Sequence, residues 1–420
     1  MLSVFVLCVA ASTAFGRYTW NWTLPTVVQN YHVSPHPDKA TDSAYKYFYL
    51  TDNNGSHAVA MTEYDNHTKV WTSILAERLV DGWAPAGYIR AYEYSDIGTD
   101  WGHWQESGTW PYIPPHPEYG DKWAVNCHVA NNASYRAFTW GNIHPGSSPH
   151  DAPDAWAADG NGLTDQSSGF WDPSHQINQI SDDSIANDSG AAVALFRGPS
   201  GCLGYGCVVY DIWDHDQGYH PHYELCRQWT TDGGSHWYTS GGRTIASTSN
   251  DDEAPFSHPS LATDDVNGND MYLAYQLLED GGAYHVMFRK STDRGHDWGN
   301  NYTTDLGGGL HPCIAAVGQF VFVCWSSPGS NSRIKFRYST NGGEDWLPGL
   351  EADPAEVPFL AHAHWDFDHP NVAAVPCLTA DYQGLLIVAK LRICNSGDII
   401  KDYLSGSACL CFHGPCGPGF

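Results

Sequence analysis

The sequence predicts an all-β protein assembled from repeated four-stranded antiparallel units. Three observations predict it: an octet written four times, a His-Pro pentad written three times, and a composition made for strands and turns. The octets lie at 94–101 (Asp96, Gly98, Trp101), 230–237 (Asp232, Gly234, Trp237), 291–298 (Asp293, Gly295, Trp298) and 339–346 (Asn341, Gly343, Trp346). Each has an Asp or Asn, a Gly two residues later and a Trp five residues after the acid or amide. That spacing suits a turn joining two strands. The short side chain caps backbone N–H groups, Gly takes the positive φ, and Trp folds back beneath the loop as an apolar anchor. The segments 284–289 and 333–338, just before two octets, alternate as strands do.

The pentads open at His258-Pro259, His311-Pro312 and His369-Pro370 and recur about every 50–60 residues, a period typical of propeller blades. A turn and an apolar run follow each, at 271–275, 320–324 and 385–389. The order strand, turn, strand, turn, strand, octet, strand makes one four-stranded unit. His36-Pro37 opens an earlier, degenerate copy, and 121–228, rich in Gly, Pro, Asp and Ser, reads as one or two units with long insertions. With 18 Trp, 24 Tyr, 42 Gly and 25 Pro, the composition is that of strands and turns rather than helices.

The octet resembles the Asp-box (Ser-x-Asp-x-Gly-x-x-Trp) of sialidases and other BNR-repeat proteins. The resemblance implies a β-propeller with each octet between the third and fourth strands of a blade. Six blades fit roughly 400 residues best, with seven as the alternative. A terminal segment, near 18–28 or after Leu391, is expected to complete the closing blade. The domain reading is 1–16 signal peptide, 17–400 propeller and 401–420 a Cys/Gly/Pro-rich tail.

The first residues form a short apolar run ending in small residues at Ala14-Phe15-Gly16, as a cleaved secretory signal does. No later apolar run approaches the ~20 residues a membrane span needs. Sequons at Asn21, Asn54, Asn66, Asn132, Asn187 and Asn301 add to the expectation of a secreted glycoprotein. Twelve cysteines in an exported chain imply disulfides. Cys313 and Cys324 fall on the two arms of one predicted hairpin, Cys202 and Cys207 flank a short Gly-rich turn, and Cys409, Cys411 and Cys416 mark the tail. Loss of Cys8 with the signal would leave eleven, and an odd cysteine can bridge to a second copy.

A net charge of −27 repels nucleic acid and anionic membranes. The acidic run 264–270 lacks the ligand spacing of a calcium loop and reads as a hairpin turn, so no cofactor is expected beyond a structural Ca²⁺ at most. Two His/Asp clusters stand out: one at 213–224 with His215, His220 and His222, and one with His362, His364, Asp366, Asp368 and His369. Neither has the spacing of a known zinc motif, and both suit a polar propeller mouth.

Sialidase chemistry, which the resemblance raises, requires three Arg around a carboxylate, a Tyr nucleophile with a Glu, and an Asp acid/base. The expected Phe/Tyr-Arg-Ile-Pro motif is matched only by Phe196-Arg197-Gly198-Pro199, altered at its third position and placed after the first octet. The expected function is therefore non-catalytic: an extracellular assembly subunit of a coat or fibre, partnered by copies of itself or by glycans. The alternatives are a lectin-like glycan-binding propeller or a glycoside hydrolase with paired carboxylates.

Overall fold

The computed structural model describes strands along the whole chain, and side chains within 192–357 apart from short connecting segments. At the N-terminus are β1 (Thr19–Trp22) and β2 (Thr26–Asn30). The first sheet is β3 (Ser56–Tyr64), β4 (His67–Val80), β5 (Pro85–Tyr94) and β6 (Gln105–Thr109). The second is β7 (Trp123–Asn131), β8 (Arg136–Ile143) and β9 (Asp154–Asp159). The third is β10 (Ala192–Leu195), β11 (Gly206–Asp214), β12 (His222–Thr230) and β13 (Thr244–Ser247). The fourth is β14 (Phe256–Thr263), β15 (Met271–Leu278), β16 (Tyr284–Ser291) and β17 (Thr304–Gly308). The fifth is β18 (Leu310–Val317), β19 (Phe320–Ser326), β20 (Ile334–Ser339) and β21 (Ala355–Glu356). The sixth contains β22 (Trp365–Pro376), β23 (Tyr382–Ile393) and β24 (Lys401–Cys411).

Every pairing is antiparallel and, apart from those of β1 and β2 with β24, joins chain neighbours, so each unit is built on a meander. The first strands make the ring. β3 packs beside β7, β7 beside β10, β10 beside β14, β14 beside β18, β18 beside β22, and β22 beside β3. First strands are therefore innermost and last strands lie on the rim.

Closure draws on both ends of the chain. β1 and β2 pair one after the other along the same edge of β24, from Thr19 opposite Cys411 to Asn30 opposite Asp402. The segment 401–411, assigned above to the tail, is thus a strand of the sixth sheet. Its apolar residues Leu404, Ala408 and Leu410 are interleaved with Gly and Ser rather than with charges, which hides a strand from a search for alternation. Cys409 and Cys411 stand in this strand, opposite Gly384 and Tyr382. Residues 1–16 and Cys416 lie outside the described residues.

Three octets are described and share one internal hydrogen-bond scheme. Thr230 Oγ1, Ser291 Oγ and Ser339 Oγ donate to the Oδ1 of Asp232, Asp293 and Asn341 at 2.8, 2.8 and 2.9 Å. The same Ser oxygens accept the N–H of Gly295 (2.9 Å) and Gly343 (2.8 Å), while Asp293 and Asn341 accept those of Asp297 and Asp345. The Gly carries the positive φ, as expected: 83° at Gly295 and 90° at Gly343. The residue before it is left-handed too, with φ 74° at Gly233, 65° at Arg294 and 72° at Gly342. Residues 234–236 and 95–101 lie outside the described residues.

The buried Trp does more than anchor its own loop. Trp298, only 4 % exposed, packs with Cys207, Val209 and Met271, and so joins the fourth sheet to the third. Trp346 meets Phe288 edge-on at 4.9 Å and joins the fifth sheet to the fourth. A Cβ added at Gly343 would stand 2.5 Å from the Phe288 ring, and one at Gly295 would stand 2.9 Å from Met271 Sδ. The octets at 291–298 and 339–346 are wedges, each seated on the preceding sheet.

Two substitutions test this. Ser291→Ala removes three hydrogen bonds of one turn and should cost ~1–3 kcal/mol. Gly343→Ala adds a left-handed penalty to a steric clash with Phe288 and should cost more, about 2–5 kcal/mol. Urea unfolding measures both, and equal or negligible losses would contradict the wedge.

Candidate binding face at the inner strands

The octets fix which end of the ring is which. They follow β12, β16 and β20, so they lie at the end where the first strands finish, at Leu195 and Thr263. The first strands begin at the opposite end, where the β11–β12, β15–β16 and β19–β20 hairpins also turn. The described members of both His/Asp clusters map to that opposite end: Asp214 and His222 form the last pair of the β11–β12 ladder, and Asp366, Asp368 and His369 lie in the opening stretch of β22. His215, Asp216, His220, His362 and His364 lie outside the described residues.

The His-Pro repeats sit on the inner strands near this same end, and each is a β-bulge. In β14, Ser257 pairs with Gln276 and Ser260 with Ala274, so His258-Pro259 stands against Tyr275 alone. In β18, His311-Pro312 stands against Trp325 in the same way. In β22, the ladder breaks identically between Asp368 and Asn371, at His369-Pro370. Pro cannot donate to a ladder, and a bulge is one of the few places in a sheet where that costs nothing. β7 has the same break between Val125 and His128, with Asn126-Cys127 in place of His-Pro.

His258 and His311 both take left-handed backbone, φ 50° and 52°. Such φ values are unfavourable for a side chain with a Cβ and persist only where surrounding structure enforces them. Here the enforcing contacts are visible. The His311 N–H donates to Gln276 Oε1 at 3.0 Å, and Gln276 Nε2 donates to Ser257 Oγ at 3.1 Å. The imidazoles of His258 and His311 meet edge-on at 4.5 Å, half-buried, where the fourth and fifth sheets join. Below them Ser260 Oγ accepts the Ile314 N–H at 3.2 Å. The indole of Trp325, fully buried, lies over Gly309, where any side chain would strike it, and donates to Gly308 O at 3.1 Å. Gly309 is therefore a packing requirement, whereas Gly307 is set by its positive φ of 117°.

Gln276 and Ser257 escaped the sequence reading. Gln276 is the one polar side chain in the run 271–278, which is the trace it leaves. The acidic run at 264–270 closes the β14–β15 hairpin: Asp264 N–H donates to Asp270 O at 2.8 Å, and Asp270 pairs with Lys290 at 2.9 Å.

The described arginines serve the backbone. Arg227 donates to His296 O, Arg289 to Ile245 O, Arg294 to Gly268 O and Arg333 to Ser332 O. Arg337 reaches the carbonyls of Leu306, Pro348, Gly349, Leu350 and Ala352. Phe196, in the altered motif, donates its N–H to Tyr205 O at the octet end, away from the bulges. Tyr275, facing the His258 bulge, has its phenol pKa raised by burial, with Arg289 pulling the other way. An activated nucleophile needs the reverse shift.

No family model and no curated protein matches this chain. Solved structures do. An α-L-arabinanase from Penicillium chrysogenum, complexed with arabinobiose, aligns over 92 % of this chain and 98 % of its own, with a TM-score of 0.56 and 11 % identity. The sialidase of Trypanosoma rangeli bound to the inhibitor DANA aligns over 84 % and 55 %, TM-score 0.45, 11 % identity. A GH43 endo-arabinanase from Bacillus licheniformis aligns over 84 % and 94 %, TM-score 0.37, 12 % identity. The fold is a β-propeller. At such identities the likeness extends to the fold alone.

Proposed function

We propose that this chain is a secreted, glycosylated Asp-box propeller of six blades that binds neutral carbohydrate without catalysis, at the end of the ring away from the octets. The closed circuit of six inner strands supports the blade count. The binding reading rests on one observation: two imidazoles held at equivalent strained bulges, beside a Gln–Ser pair, at the inner strands. Strain of this kind gathers at binding and catalytic positions. The half-buried imidazoles can donate to and accept from sugar hydroxyls, while the buried Gln276–Ser257 pair holds the bulges in place. The −27 charge and the commitment of five arginines to main-chain carbonyls argue against a carboxylate-bearing sugar.

Glycan-array binding by the secreted protein tests this, with His258→Asn and His311→Asn as variants. Asn tolerates left-handed backbone, so these variants should keep the parent melting temperature. Each should lose about tenfold or more in affinity for the neutral glycan retained by the parent, about 1.4 kcal/mol. Unchanged binding, absence of any neutral ligand, or turnover of fluorogenic glycosides would sink the reading.

The assembly reading draws on a different observation. β1 and β2 close the ring through one edge of β24, and the chain from Asn30 to Ser56 is long enough to let that segment pair with a second copy. An intersubunit bridge from the odd cysteine would lock such an exchange. If so, non-reducing electrophoresis of secreted material shows a ladder that collapses on reduction; a monomer in both lanes removes this reading.

A further inference from the structure

Of the four cysteines whose side chains are described, one pair is set directly face to face. Cys313 of β18 and Cys324 of β19 are register partners in the antiparallel ladder. Directly opposed residues have Cα atoms about 4.5 or 5.5 Å apart depending on the pair type, and both values fall inside the range a disulfide spans. Successive side chains of a strand alternate faces, so opposed residues share a face and point the same way. Both residues are buried, at 5 % and 0 % exposure, and both stand as thiols in the structure. The other two described cysteines have no such partner across the ladder. Cys207 lies opposite Ala194 and Trp229, and its sulfur packs under Gly295 of the next sheet. Cys226 lies opposite Tyr210 and Thr244, and its thiol donates to Glu224.

We infer that Cys313 and Cys324 close a buried cross-strand disulfide in the mature protein, stapling inner strand β18 to β19 one residue beyond the His311-Pro312 bulge. The two thiols lose two protons and two electrons, the Sγ–Sγ bond forms, and an incoming disulfide of the thiol–disulfide exchange class is reduced to two thiols. The surroundings say when this happens. Burial raises the Cys324 pKa well above the ordinary thiol value, and the neighbouring Cys313 raises it further. The thiolate is the attacking species, so exchange is suppressed once the sheet has packed. The bond therefore forms while β18 and β19 are still open to solvent, and it is structural rather than exchangeable afterwards. Its place matters because the bulge interrupts the ladder: His311 and Pro312 make no register pair, so the strand carrying His311 is otherwise held to β19 by the ladder on either side. This inference stands whether or not the bulge binds a sugar.

The test needs no variant. Trypsin releases 295–333 as one peptide, which contains these two cysteines and no others. The secreted protein is denatured and alkylated without reductant, stripped of N-glycans, digested, and analysed by mass spectrometry beside a reduced sample. The expected result is a peptide carrying no alkyl group and lighter than the unmodified dithiol by two hydrogen atoms, gaining two alkyl groups after reduction. Alkylation of either cysteine without reductant, or a link from either one to another peptide, would overturn the inference.

Discussion

The described part of the ring depends on one interaction, the seating of the octet turns at 291–298 and 339–346 on the sheet before each. Within a turn, a hydroxyl and an Asp or Asn side chain satisfy the backbone N–H groups that two consecutive left-handed residues leave pointing inward. A glycine at the apex lets the neighbouring sheet approach: Phe288 occupies the space a Cβ of Gly343 would fill, and Cys207 crowds that of Gly295 beside Met271 of its own sheet. Trp then completes the contact, with Trp298 in the cluster of the third sheet and Trp346 in that of the fourth. Arginines add to the same joint, since Arg227 of the third sheet donates to His296 O inside the octet of the fourth. A flat meander buries only part of its surface alone. The octets make burial continuous from one sheet to the next, which is how repeated units gain stability by stacking.

The other end is joined differently. There the inner strands carry bulges rather than regular ladder, and the bulges hold His258 and His311 in backbone conformations a ladder would not impose. The compensation is local and polar, running from the His311 N–H through Gln276 to Ser257. Spending arginines on carbonyls fits the same division. Arg337 alone collects carbonyls from the β17 and 348–352 segments, and burial lowers its pKa while Asp305 and Asp353 raise it.

Much of the architecture was legible because strong local chemistry repeats. Asp293 with Gly295 and Trp298 declares a turn wherever it stands, and the His-Pro dipeptides mark the opening of inner strands. What stayed hidden had no local chemical signature. The left-handed Arg294 carries no residue preference for that conformation, and its trace was glycine at the matching places, Gly233 and Gly342. The bulge at Asn126-Cys127 uses neither His nor Pro, so its register emerges only from pairing with β8. Strand β24 was read as tail because its glycine, serines and cysteines masked its periodicity, although its pairing on both edges is long. Gln276 is only a polar residue after an apolar run in the sequence, and its role emerges from two hydrogen bonds that bind it to Ser257 and to His311 of the next sheet.

The central claim is a division of labour between the two ends of the ring. Hydrogen–deuterium exchange on the secreted protein, with and without a saturating glycan, addresses it directly. Added protection should appear at 256–262 and 310–316, with exchange at 291–298 and 339–346 unchanged. Protection concentrated at the octets, with the bulged strands unaffected, would contradict it.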